Sequence, residues 1–139
     1  MRIRDLAWAA GIVDGEGCIT LYKATTNSGI AYVMKVTVVN TSLTMLQRLH
    51  TLFGIGYIGI RPRRSKKHKR IWIWEVTTKN AEVVLKAIQP YLVAKVEECR
   101  LALLSRTMIN THGRNTPNNN AAALDEILSQ LQKIKHVSS

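Results

Sequence analysis

The segment Leu6-Ala-Trp-Ala-Ala-Gly-Ile-Val-Asp-Gly-Glu-Gly-Cys-Ile-Thr-Leu-Tyr22 constrains the fold more than any other part of the chain. Leu6 to Val13 is continuously apolar; then two acids, Asp14 and Glu16, alternate with Gly15 and Gly17. A strand pattern follows with no loop between. The segment reads as a helix from Leu6, capped by Asp5 and stopped by Gly15 and Gly17. In the strand from Cys18 to Lys23, Ile19 and Leu21 share one face and Cys18, Thr20 and Tyr22 the other. Ala7, Gly11 and Gly15 recur four apart and line a stripe that lets another backbone come close. Leu6, Ala9, Ala10 and Val13 cover a different face. The spacing leaves two readings open: contact with the same helix of an identical copy, or a helix fully buried in a monomer.

The remaining pattern alternates pairs of strands with helices. Thr25 to Gly29 reads as a turn before a β-branched strand, about Ile30 to Val39. Thr41 or Ser42 caps a helix with Leu43, Leu46, Leu49, Leu52 and Phe53 at helical spacing, and Gly54 ends it. Ile55 to Ile60 and Ile71 to Val76 form a second strand pair, with Pro62 beyond the first strand's end. Trp72 and Trp74 share one face of the last strand, and the pattern leaves open whether that face points inward or outward. Thr78 or Asn80 caps a helix from Ala81 to Ile88, and Pro90 precedes another from about Val93 to Ile109. The polar stretch 111–120 reads as a flexible linker between a core, 1–110, and a terminal helix within 121–139. Leu124, Ile127, Leu128, Leu131 and Ile134 give that helix one apolar face. The order αββαββα, followed by a terminal helix, predicts an α+β domain, with helices on one face of an antiparallel, curved sheet and the other face free.

Charge and composition narrow the partners. Hydrophobic residues make up 46% of the chain, enough to predict a folded domain rather than a disordered one. Twenty Lys and Arg against nine Asp and Glu give a net charge of +11, which points to a polyanion. Arg61, Arg63, Arg64, Lys66, Lys67, Lys69 and Arg70 hold seven of those cations in a run with no acid. Placed at a hairpin tip, the run suits phosphate contact. The basic N-terminus ahead of an apolar run mimics a signal peptide, but acids end the run, so a secreted protein is not expected. No run reaches the length of a membrane span. Cys18 and Cys99 fit no zinc spacing and read as buried free thiols in a reducing intracellular compartment.

Ala9-Ala-Gly-Ile-Val-Asp-Gly-Glu-Gly17 resembles the motif of the LAGLIDADG homing endonucleases. Asn40 followed by Leu46 and Phe53-Gly-Ile-Gly56, then Trp72-Ile-Trp-Glu-Val76, then Gln89-Pro-Tyr-Leu-Val-Ala-Lys95, are similar to later segments of that family. The resemblance covers roughly Leu6 to Met108 and includes one copy of the motif. Single-motif members act as homodimers, so it implies that Ala7, Gly11 and Gly15 form a dimer interface. It implies a site-specific nuclease that makes a staggered double-strand break at a long, near-palindromic DNA site, as in intron homing. The alternative on the same fold is an inactive DNA-binding protein or an intron RNA maturase.

The resemblance also assigns roles. Glu16 stands where the family usually has a metal-binding Asp, and the Gly15 carbonyl aligns with a second ligand. Mg²⁺ is the implied ion, with Mn²⁺ as a substitute and Ca²⁺ supporting binding without cleavage. Lys95 aligns with the active-site lysine, and Asn40 stands where a solvent-ordering Gln is common. Asp14 is expected to order the helix end rather than bind metal, and His112 and Arg114 are expected in a solvated loop. Base contacts are expected from the outward face: Thr20, Tyr22, Ala24 and Thr26, then Lys35, Thr37 and Val33, then Arg61. No membrane or small-molecule substrate is implied.

Overall fold

The computed structural model describes residues 1–27, 29–62, 65–109 and 120–138, with side chains through 135 in the last segment. Among these residues five helices and four strands follow the order α1 (Ile3–Glu16), β1 (Gly17–Thr26), β2 (Gly29–Asn40), α2 (Leu43–Phe53), β3 (Tyr57–Arg61), β4 (Ile71–Thr77), α3 (Thr78–Ile88), α4 (Val96–Met108) and α5 (Ala121–Ser138). A 3-10 turn, Gln89–Tyr91, separates α3 from α4. The strands form one antiparallel sheet in the order β1-β2-β4-β3. Val36 pairs with Ile19 on one side and Val76 on the other.

The helices lie on one side of this sheet. Ala9, Ala10, Val13, Met34, Val36, Val38 and Trp74 are fully buried between α1, α3 and the strands. Trp74 stacks near Phe53, with ring centroids 6.0 Å apart, and its Nε1 donates to the Ile55 carbonyl. Alternation in β1 is as expected: Ile19 and Leu21 are buried, whereas Tyr22 is exposed. In β4 Trp72 and Trp74 pack on the core. Leu124, Ile127 and Leu131 bury α5 against α4 and β1.

Several local expectations are corrected. Helix α1 starts at Ile3, not Leu6: the amides of Asp5 and Leu6 donate to the Arg2 carbonyl, which makes Arg2 the cap. Asp5 lies in the first turn, 3.4 Å from Arg48. Gly15 does not stop the helix, and Gly17 does. A Cβ on Gly17 would sit 2.8 Å from the Val13 carbonyl oxygen, so only glycine allows so abrupt a passage from helix to strand. Neither Thr78 nor Asn80 caps α3; Thr77 is the cap, without a side-chain bond, and Thr78 has φ +51. Helix α4 starts at Val96 rather than Val93, because residues 93–95 are held in a loop described below. Strand β3 starts at Tyr57, two residues later than expected. Of the cysteines, Cys99 is buried and Cys18 only half-buried, since it faces outward on β1. Burial pushes the Cys99 thiol up to about 11.

Candidate functional site

Helix α1 ends on two acids with different surroundings. Asp14 is clamped: its carboxylate accepts from three successive amides, Val93 at 2.8 Å, Ala94 at 3.1 Å and Lys95 at 2.9 Å. These donors lie just ahead of α4, where amides lack intrahelical partners, so Asp14 does the work of a cap from a distant segment. The Lys95 ammonium returns the contact, donating to the Asp14 backbone carbonyl at 2.9 Å. A cation there suits the negative end of the α1 dipole, whose last turn has no basic residue of its own.

Glu16 is the last residue of α1 and is exposed, as is Gly15 before it. The Gly15 carbonyl lies in the final turn, where carbonyls run out of helical amides. Val38 pairs with Gly17, so Asn40, two residues further along β2, continues toward this helix end. The Asn40 Oδ1 accepts from the Ser42 amide at 2.8 Å, which opens α2. Glu16 and the Gly15 carbonyl are hard oxygen donors of the kind Mg²⁺ or Ca²⁺ takes. Among the described residues no group of three or more His, Cys, Asp or Glu side chains could enclose a metal ion. With Asp14 committed to amides, the donor set fits an ion shared with an outside anion rather than a closed protein cage.

The stripe along α1 is bare. Ala7, Gly11 and Gly15 are all exposed, and a Cβ built on Gly11 or Gly15 meets nothing within 4 Å. On the neighbouring surface Val93 is 85% exposed and Val96 46%. The opposite face of α1 carries Ala9, Ala10 and Val13, as expected.

The outer sheet face gathers the other predicted residues. Thr20, Tyr22, Ala24 and Thr26 of β1 share it with Val33, Lys35 and Thr37 of β2 and Arg61 of β3. Thr20 Oγ1 donates to the Lys35 carbonyl and Thr26 Oγ1 to the Gly29 carbonyl. Arg61 is exposed at the strand's end. Beyond it Lys66, Lys67, Lys69 and Arg70 are exposed, with the Arg70 guanidinium over the Trp72 ring. In this turn Ser65 Oγ lies 2.9 Å from His68 Nδ1 and accepts from the Lys67 amide. Arg63, Arg64, His112 and Arg114 lie outside the described residues. Two features escaped the sequence reading: Tyr57 is an exposed aromatic on this face, and Glu75 forms an ion pair with Lys35 at 3.1 Å.

The family model described as LAGLIDADG endonuclease matches residues 9–98, well over half of the chain. This protein belongs to that family. Among solved structures it is similar to the homing endonuclease I-CvuI in complex with its target, at 19% identity and a TM-score of 0.67, over 94% of this chain and 98% of that one. It is similar to the group I intron-encoded homing endonuclease I-CeuI complexed with DNA, at 15% identity and a TM-score of 0.71, over 94% and 67%. The meganuclease I-SmaMI bound to uncleaveable DNA gives 15% identity and a TM-score of 0.75, over 96% and 46%, so this chain spans about half of that one. A comparison with curated protein sequences finds no match. The architecture is that of the LAGLIDADG homing endonucleases. No helix among the described residues is long and apolar enough to cross a membrane.

Proposed function

We propose that this protein is a divalent-metal-dependent DNA endonuclease acting as a homodimer, each copy cutting one strand of a long, near-palindromic site. The observation that carries this reading is the α1 terminus. An exposed carboxylate ends a helix whose stripe is bare, with a lysine tethered to the same turn. Two such helices packed stripe to stripe would bring two Glu16 side chains together. The coverage supports a paired unit, since the chain matches nearly all of I-CvuI and under half of I-SmaMI.

Glu16 and the Gly15 carbonyl would hold the ion against a DNA phosphate. When bound, a divalent ion supplies an activated water and offsets charge on the phosphate and the leaving oxygen. Structures of I-CvuI in the presence of Ca or Mg, and of I-SmaMI with calcium, support ions of this class. Lys95 adds a positive donor fixed in place by Asp14, suited to the anionic phosphate. The Asn40 amide hydrogens are suited to orienting solvent, since its oxygen is already used. Binding energy comes from the basic turn on phosphates and from the outer sheet face in the major groove, with Arg61 suited to guanine O6 and N7.

A protein that only binds nucleic acid has no need of an exposed acid beside a tethered lysine. Single-turnover cleavage in Mg²⁺, beside a gel-shift titration in Ca²⁺, separates the two. Glu16→Gln should lose cleavage by orders of magnitude and keep DNA binding. Cleavage at the wild-type rate would place the active site elsewhere, and a wild type that binds without cutting in Mg²⁺ or Mn²⁺ would leave a binding protein.

A further inference from the structure

Three side chains in contact span β1, β2 and β4 on the outer face of the sheet. The Lys35 ammonium of β2 lies 5.1 Å from the Tyr22 ring of β1 and 3.1 Å from Glu75 Oε1 of β4. Tyr57 of β3 stands opposite Glu75 in the strand register. Glu75 is the only acid among the outward residues of the four strands, all of which are described. The two charged side chains are each 31% exposed. An ion pair this open contributes little to stability, so folding alone gives little reason for it. On a surface that approaches phosphates, a carboxylate also weakens attraction.

We propose that Lys35 and Glu75 act together as a reader of one base pair in each half-site; this rests on the nuclease reading above. In the major groove every base pair sets a keto oxygen, guanine O6 or thymine O4, beside an amino group, cytosine N4 or adenine N6. An ammonium 3.1 Å from a carboxylate presents a donor beside an acceptor, the complement of that edge. Lys35 takes the keto oxygen and Glu75 the amino group. G·C with guanine under Lys35 ranks first, because guanine offers O6 and N7 to the ammonium. The reversed pair sets an amino group against the ammonium and a keto oxygen against the carboxylate, so it is rejected by repulsion as well as by lost bonds. The Tyr22 ring holds Lys35 on one side. Tyr57, opposite Glu75 in the register, lays its ring over Gly59 of its own strand, where a Cβ would come within 2.6 Å of it.

The test is a charge exchange. The double variant K35E/E75K keeps the net charge and the ion pair and reverses donor and acceptor. Binding and cleavage selections on a library randomised at each position should show one position per half-site whose preferred pair inverts, G·C to C·G, by about tenfold or more. Preferences elsewhere should stay. Glu75→Gln, which keeps the side-chain shape, should move preference at that position toward adenine, whose N6 and N7 match an amide. It carries the test if the exchange variant does not fold. Unchanged preference at every position in either variant overturns the proposal, whereas a wild type that binds no DNA overturns the nuclease reading instead.

Discussion

Asp14 and Lys95 hold each other from both directions. The Asp14 carboxylate accepts the Lys95 amide at 2.9 Å, and the Lys95 ammonium donates to the Asp14 carbonyl at 2.9 Å. Asp14→Ala strips the acceptor from three amides at once. It should cost about 2 kcal/mol of stability and slow cleavage by freeing the loop that carries Lys95. Thermal unfolding and single-turnover cleavage check the two effects. Unchanged stability would mean that the clamp is incidental.

Gly11→Leu should act with opposite signs on the monomer and on assembly. Within one chain the new side chain meets nothing, and removing a mid-helix glycine should raise monomer stability by about 1 kcal/mol. Across a two-fold contact it overpacks, at about 1–3 kcal/mol per copy. Sedimentation should show association weakened tenfold or more. A wild type that remains monomeric at micromolar concentration would end the dimer reading.

The basic turn should govern salt dependence rather than sequence choice. Replacing Lys66, Lys67 and Lys69 by Ser removes three exposed cations. The slope of log affinity against log salt should flatten by up to about 2.7 per chain, with base preference nearly intact. An unaltered slope would show that the turn points away from DNA.

Helix α5 should be anchored best between the acid and alkaline extremes. Asp125 accepts from Tyr32 at 2.7 Å and pairs with Lys23 at 2.8 Å. The Lys23 bond holds the Asp125 carboxyl below its ordinary range, and the Asp125 bond raises Lys23. Burial, then the Asp125 bond, raises the Tyr32 hydroxyl. A depressed acid contributes stability above its unfolded value and loses it as pH falls through the folded one. The raised lysine and tyrosine contribute below their unfolded values and lose it as pH rises through the folded ones. The gap in melting temperature between wild type and Asp125→Asn should therefore be present at neutral pH and close below the ordinary carboxylate range. A gap that persists in acid would contradict this.

Thr78 is a β-branched residue at φ +51, a left-handed conformation that glycine adopts without strain. Thr78→Gly should stabilise the protein by about 1 kcal/mol, read as a higher melting temperature. A lower one would indicate that the threonine side chain makes up for its strain.

What was legible follows from periodicity. The parity of β1 and the apolar face of α5 follow from residues close in sequence, whereas in β4 the pattern shows only that Trp72 and Trp74 share a face, not that it is the inner one. The extra first turn of α1 was missed because Ile3 and Arg4 are as compatible with a helix as with a lead-in, and Asp5 looked like a cap. The Asp14 clamp joins residues about eighty positions apart, and no local pattern reports that. Lys35 and Glu75 meet only because β2 and β4 are neighbours at the sheet's centre. Two hairpins read from sequence leave open which strands face each other across the middle.

Glu16 is the last residue of α1 and Gly17 the first of β1, with no loop between them. On the function proposed above, the cutting point and the base-reading strand would thus belong to one rigid ruler, its graduations set by the rise of a β-strand at about 3.4 Å per residue. Swapping side chains on β1 would then change which bases are accepted, but not how far those bases lie from the break. An insertion at this joint would turn Ile19 and Leu21 to the outside along with everything else on the strand. Target sites in such a lineage would drift in letters while their spacing stayed fixed.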